Sequence, residues 1–185
     1  MNKKVLTIPN GLTLIRLLVL YPVIQSLDQV RPWWFLFWVA IGILSDFLDG
    51  AIARRFNQQS DIGRIADPII DKLNVLVASA FMVYSPIYDF PLWFFLFILV
   101  RESLVMVGSL AVIRRKQIVM ESNRPGKNSA FATGIAVLLS GLRLQPYAAV
   151  VVWIAFVLTC YSTYAYIRVF LQQLQKSKQT ADDKS

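Results

Sequence analysis

The chain has 185 residues, 56% of them apolar and 16% charged, with a net charge of +8 and a mean hydropathy of +0.53. A soluble domain carries about 25% charged residues, so the solvent expected for most of this surface is lipid. The chain has no histidine and one cysteine, Cys160, which excludes a histidine base, a Ser-His triad, a thiolate metal site and an internal disulfide.

Six apolar runs follow in chain order. A bilayer core of about 30 Å needs roughly 20 mostly apolar helical residues to cross it. The first run covers residues 6–27, opens on the turn signal Pro9-Asn10-Gly11 and contains Arg16. Lys3 and Lys4 resemble the basic start of a signal peptide, but no small-residue cleavage site follows, so this run is expected to stay. Asp28, Arg31 and Pro32 break the chain before the second run, 33–53. A polar break at 57–61 precedes the third run, 65–84. Tyr84, Pro86, Tyr88 and Pro91 mark a turn, and the fourth run is 90–113. Residues 121–128, with Pro125 and Gly126, read as the longest loop before a short fifth run at 130–142. Gly141, Arg143 and Pro146 close a turn before the sixth run, 147–171. The tail from Gln172 is polar and expected to fray. The runs lack the alternation of a membrane barrel. The expected fold is therefore all-α: an integral membrane bundle of six transmembrane helices forming one domain, residues 1–185.

Lysine and arginine accumulate in cytoplasmic loops. Lys3 and Lys4, then Arg54, Arg55 and Arg64, then Arg114, Arg115, Lys116, Arg124 and Lys127, then Lys176, Lys178 and Lys184 fall on one side of a six-span chain. The opposite loops hold Arg31 and Arg143. Both termini are thus expected in the cytoplasm, and Trp33, Trp34, Trp93 and Tyr147 suit an aromatic belt at the outer interface.

The acids are few but concentrated. Asp46, Asp49, Asp61, Asp67 and Asp71 all lie between positions 46 and 71. At about 100° per residue, Asp46, Asp49, Gly50, Ala53 and Arg54 share one helical face. Gly63, Asp67 and Asp71 recur every fourth residue on another. Packed as a hairpin, these two helices would set four carboxylates across a seam near one membrane edge. Like charges raise one another's pKa, and an ionised aspartate within a membrane costs about 2.5–3.5 kcal/mol on insertion scales. A cation must offset that cost. Oxygen ligands without histidine or cysteine point to a hard ion such as Mg²⁺ or Mn²⁺, which keeps positions open for water or phosphate. Gly50, Ala53 and Gly63 keep the facing surface low, and Arg54 can bond phosphate with two parallel donors. The structural alternative is an ion-pair network of these acids with Arg54, Arg55, Arg64 and Lys72. Asp61 falls off the Gly63 face and suits a helix cap.

The pattern Asp46-x-x-Asp49-Gly50-x-x-Ala53-Arg54, then Gly63, Asp67 and Asp71, resembles the full signature of the CDP-alcohol phosphotransferase family. Six membrane helices with a site at the cytoplasmic edge also fit that family, so the resemblance covers nearly the whole chain. It implies that Asp46, Asp49, Asp67 and Asp71 hold two Mg²⁺ or Mn²⁺ ions. It implies that Asp49, Gly50, Ala53, Arg54 and Gly63 line the nucleotide pocket, and that Asp71 is the general base. The implied reaction is displacement at the β-phosphorus of CDP-diacylglycerol by an alcohol, releasing CMP.

The acceptor is read from weaker signals. The segments at 8–16 and 67–73 resemble both phosphatidylglycerophosphate synthases and cardiolipin synthases of the family. Arg101-Glu102 matches the former, whereas Gly108-Ser109 departs from it. Glycerol 3-phosphate is the favoured acceptor, with Arg101, Arg114 and Lys127 as candidate ligands; the alternative is phosphatidylglycerol. Arg16 and Arg101 lie within apolar runs, where a charge is costly and points to function. Glu102, as an adjacent position, is expected to be a poor partner for Arg101. The expected partners are CDP-diacylglycerol, a small phosphorylated alcohol and membrane lipid, with no nucleic acid and with a homodimer allowed. The expected location is a bacterial inner membrane. A divalent-cation transporter is the reading from another class; it should carry its acids near mid-bilayer, often within an internal repeat, rather than at one edge.

Overall fold

The structure is a computed structural model that describes residues 8–56, 61–114 and 124–182, with side chains described at 17–48, 70, 72–106 and 125–168. The described residues form six α-helices and no strand. They are α1 (Ile8–Asp28), α2 (Pro32–Phe56), α3 (Asp61–Tyr84), α4 (Leu92–Arg114), α5 (Arg124–Gly141) and α6 (Tyr147–Asp182).

Most helix limits fall within a few residues of the apolar runs, and two do not. Arg124-Pro125-Gly126 is the first turn of α5, not a loop. Proline there lacks only an N–H that the first turn leaves unused, and its fixed φ suits a helix start. Gly126 also permits a close approach: a Cβ there would stand 2.7 Å from the Tyr166 hydroxyl of α6. At the other end, α6 continues through the polar segment to Asp182. Gln, Lys and Leu are good helix formers, so the chain stays helical after its apolar run ends. The expectation that the tail frays from Gln172 is therefore not met as far as Asp182. Asp61 is the first residue of α3, as a helix start requires; its side chain lies outside the described residues, as do positions 57–60.

The helices alternate in direction. One end of the bundle, the far end, gathers the close of α1, α3 and α5 with the start of α2, α4 and α6. There the buried Phe35 ring packs against Gly141 and Met82, and the Tyr88 hydroxyl donates to the Leu27 carbonyl at 2.5 Å. A Cβ on Gly141 would stand 2.4 Å from Phe35 Cε1, so glycine is what lets α5 close on α2. Leu27, Phe94, Ala136 and Ala155 complete a narrow core. The other end carries the close of α2 and the start of α3, and is called the acidic end below. Helix α1 packs on α2 and α3, α5 packs on α6, and α3 bridges to α4 and α5.

The surface is inside out for a protein in water. Leu18, Trp33, Phe47, Tyr84, Leu104 and Phe131 are each more than 60% exposed. The buried interior, by contrast, holds Ser26, Ser79, Thr133, Ser140 and Thr159. Each of these hydroxyls donates to a carbonyl three or four residues back in its own helix, which satisfies it without water. This is the arrangement of a bundle whose outside meets lipid. Among the described residues, Tyr147–Arg168 is long and apolar enough to cross a membrane by length and composition, and 17–28, 32–48 and 72–84 are shorter apolar stretches. Trp33, Trp34, Trp93 and Tyr147 are all exposed at the far end.

Candidate functional site

An apolar cavity of about 580 Å³ opens between α1, α2, α3 and α5. Phe35, Val39, Gly42 and Asp46 line it from α2, and Asn74, Val75 and Ala78 from α3. Its polar residues, Asp46 and Asn74, both sit toward the acidic end. The lining residues of α2 recur every three or four positions, which is one stripe of a helix. Continued by the same period, that stripe runs through positions 49, 50 and 53. On α3 the stripe of Ala78 and Asn74 continues through positions 71 and 67. The signature positions thus extend, on the helical backbones of α2 and α3, the two walls whose described parts meet in this cavity.

Of the four expected metal ligands, Asp46 has a described side chain; it is exposed and faces the cavity. Asp49, Gly50, Ala53, Arg54, Gly63, Asp67 and Asp71 lie in helical backbone, with side chains outside the described residues. No group of three metal-ligating side chains occurs among the described residues. Lys127 is exposed in the first turns of α5, and Arg114 is the last residue of α4, its side chain outside the described residues.

A second polar cluster joins four helices. Arg101 of α4 is 8% exposed. Its guanidinium pairs with Glu102, and its Nη2 donates to Ser162 of α6 at 3.2 Å and toward Ser129 of α5 at 3.4 Å. Glu102 Oε2 also lies 2.7 Å from the Lys72 ammonium of α3. The expectation that Glu102 would be a poor partner for Arg101 is therefore overturned. Adjacent Cβ atoms diverge on a helix, but both side chains are long enough to curl back and meet beyond their own backbone. Arg101 Nε finds no acceptor among the described residues. Two cations share one carboxylate here, and Lys72 follows Asp71 directly in sequence. Asn74, Ser129 and Ser162 were not singled out by sequence. Each stands among other polar residues of its helix, as Asn74 does after Asp71-Lys72, Ser129 after Lys127-Asn128 and Ser162 before Thr163, so the sequence offered no separate signal for it.

The CDP-alcohol phosphatidyltransferase family description matches residues 6–161. Among similar proteins, a probable phosphatidylglycerophosphate synthase of Mycobacterium tuberculosis is 32% identical, covering 96% of this chain and 88% of that protein. A CDP-diacylglycerol–glycerol-3-phosphate 3-phosphatidyltransferase of Aquifex aeolicus is 31% identical, over 74% of this chain and 76% of that protein. A CMP-forming cardiolipin synthase of Streptomyces coelicolor is 40% identical, over 58% of this chain but only 53% of its own length.

Proposed function

Because the chain belongs to the CDP-alcohol phosphatidyltransferase family, we propose that it transfers the phosphatidyl group of CDP-diacylglycerol to glycerol 3-phosphate. It is a membrane-associated transferase of phospholipid biosynthesis. The proposed setting is a single domain of six spans in a bacterial inner membrane, with both termini and the acidic end in the cytoplasm. The observation that carries the reading is the continuity between the cavity walls and the signature positions. A groove lined by apolar side chains leads, along the backbones of α2 and α3, to positions that carry aspartates, which suits a substrate that is lipid at one end and nucleotide at the other.

The donor set fits hard divalent cations. It offers carboxylate oxygens alone, four of them on two helical stripes, with no histidine and no nearby thiol to favour a softer metal. Asp46, Asp49, Asp67 and Asp71 would hold two Mg²⁺ or Mn²⁺ ions, which when bound would neutralise the diphosphate and stabilise the departing CMP. Arg54 would bond the diphosphate oxygens, with Gly50, Ala53 and Gly63 leaving room for the nucleotide. The acceptor oxygen attacks the β-phosphorus, the bond from that phosphorus to the CMP oxygen breaks, and the hydroxyl proton passes to the Asp71 carboxylate.

A phosphorylated acceptor is supported by the charge balance of the second cluster. Among the described residues, Lys72, Arg101 and Glu102 sum to a surplus positive charge, and Arg101 Nε has no acceptor. Arg101, with Lys127 and Arg114 nearer the acidic edge, would bind the acceptor phosphate. The similarity to a cardiolipin synthase favours a second acceptor, phosphatidylglycerol. Purified protein incubated with CDP-diacylglycerol and Mn²⁺, one acceptor at a time, separates them by CMP release. Asp71→Asn should abolish release and leave nucleotide binding largely intact; a near-normal rate would remove Asp71 as the base.

A further inference from the structure

At the far end of the bundle a smaller cavity, of about 200 Å³, opens where the α3–α4 turn, the α5–α6 turn, α4 and α6 come together. Trp93 of α4 and Trp153 of α6 line it, their ring centroids 5.0 Å apart, and Phe156 packs on Trp93 at 5.3 Å. Ser140, 2% exposed, lies at its buried side. Asp89 and Gln145, both exposed, line it from the two turns.

The polar groups of this cavity are matched to a cation. Among the described residues no cation lies within ion-pair distance of the Asp89 carboxylate, and no donor is bonded to it. Its backbone has φ 52°, in the left-handed region that aspartate and asparagine enter more readily than most side chains. Ser140 spends its hydroxyl proton on the Ala136 carbonyl at 2.8 Å, so it has only lone pairs left to offer. The Gln145 amide oxygen is a third acceptor. Tryptophan is the aromatic residue that attracts a cation most strongly, when the charge lies within about 6 Å of the ring. A metal ion is poorly served, since Mg²⁺ or Ca²⁺ takes about six or more oxygen ligands and the walls here are indole. A primary ammonium, with three donors on one nitrogen, suits a carboxylate and two further acceptors.

The surroundings say where such an ammonium comes from. One turn further along α4 and α6, Leu96 and Val157 are exposed and apolar, which suits acyl chains rather than water. At about 30 Å³ for each water-sized group, the cavity holds about six heavy atoms, enough for the end of a headgroup and too small for a helix of a partner protein. We infer that this cavity binds the primary ammonium of an ethanolamine phospholipid, with Asp89 as its counter-ion and Trp93 and Trp153 as its walls. The bound lipid ties the α3–α4 turn to α6. The site lies at the opposite end of the bundle from the aspartate stripes and does not depend on what they do.

The test uses the full chain in detergent and native mass spectrometry, with dioleoyl phosphatidylethanolamine, phosphatidylcholine and phosphatidylglycerol offered singly at equal concentration. One phosphatidylethanolamine should be held about tenfold more tightly than either of the others, the difference of roughly one charge-assisted bond. Asp89→Asn keeps the shape and tolerates the same φ; it should remove that preference and leave the lipid-free melting temperature unchanged. Trp153→Leu, at an exposed position, should weaken phosphatidylethanolamine binding and spare phosphatidylglycerol. Glycerophosphoethanolamine, the same headgroup without acyl chains, should fail to displace the lipid at equal concentration. Equal retention of the three lipids, or a preference unchanged in Asp89→Asn, would overturn the inference. Displacement by glycerophosphoethanolamine, or by a lysine peptide, would overturn the assignment to a lipid.

Discussion

Glu102→Gln is a small change with a large expected cost. Gln keeps the shape of Glu102 and removes its charge. Arg101, 8% exposed, would then keep its guanidinium among Ser129 and Ser162, two neutral acceptors at 3.4 and 3.2 Å. Breaking a buried ion pair by removing one partner costs about 3–5 kcal/mol. For a chain of this size that corresponds to a fall in Tm of roughly 6–20 °C. Lys72 is the contrast. Its side chain is 32% exposed, so Lys72→Met loses a partly screened pair and should cost no more than about 1 kcal/mol. The double variant Arg101→Met/Glu102→Gln removes both buried charges, and it should recover most of the loss seen in Glu102→Gln alone. Thermal unfolding in one detergent, followed by circular dichroism, measures all four proteins. If Glu102→Gln and Lys72→Met melt together, or if the double variant is worse than Glu102→Gln, then the buried Arg101 charge does not depend on Glu102 for compensation and the reasoning fails.

Chelation should stop CMP release, and either Mg²⁺ or Mn²⁺ added back should restore it; release that persists after exhaustive chelation would contradict a carboxylate-held ion. Gly141→Ala should cost about 1–3 kcal/mol by overpacking, because its Cβ would meet the buried Phe35 ring at 2.4 Å, and a melt unchanged from the parent would show that the ring moves freely. Tyr88 sits in the turn between α3 and α4, and burial, partly countered by Arg143 and reinforced by Asp28, raises its pKa above the ordinary 10.0. Its folded form holds the proton more tightly, so its stabilisation is complete below pH 10 and lost as pH rises through the folded value. Tyr88→Phe should cost about 0.5–1.5 kcal/mol at neutral pH, through the lost bond to Leu27, and should flatten the alkaline fall in Tm.

Long apolar runs made the six helices readable, because a backbone in lipid must satisfy its own hydrogen bonds. The misjudged limits are those where composition and conformation part. Pro125-Gly126 reads as a loop only if proline is treated as a breaker, whereas at a helix start it fits. The polar segment after Gln172 looks unstructured only if helix formation is equated with burial. At the candidate site, helical period puts the acids on common stripes, and the one of them with a described side chain, Asp46, lines the cavity. The Arg101–Glu102 pair was not, since period describes Cβ directions and says nothing of where long side chains end. The cavity was not legible either. It exists because Gly42, Ala78, Ala130 and Gly134 fall short of one another across three helices, and that depends on how the helices pack.

The same two stripes carry both halves of the proposed chemistry. On α2 the spacing that puts Phe35, Val39, Gly42 and Asp46 on the cavity wall continues without a break in period to Asp49, Gly50 and Ala53. On α3 it leads from Ala78 and Asn74 to Asp71 and Asp67. Positions at one helical period stay on one side of the backbone, so along each stripe the residue types change, from apolar to small to acidic. A ligand laid along such a wall must change its own character at the same depth. Moving the acid stripe by one residue on either helix would turn it about 100° away from the cavity and separate the two functions. The register between the apolar cavity and the aspartate positions, more than the number of aspartates, is therefore what the proposed function requires.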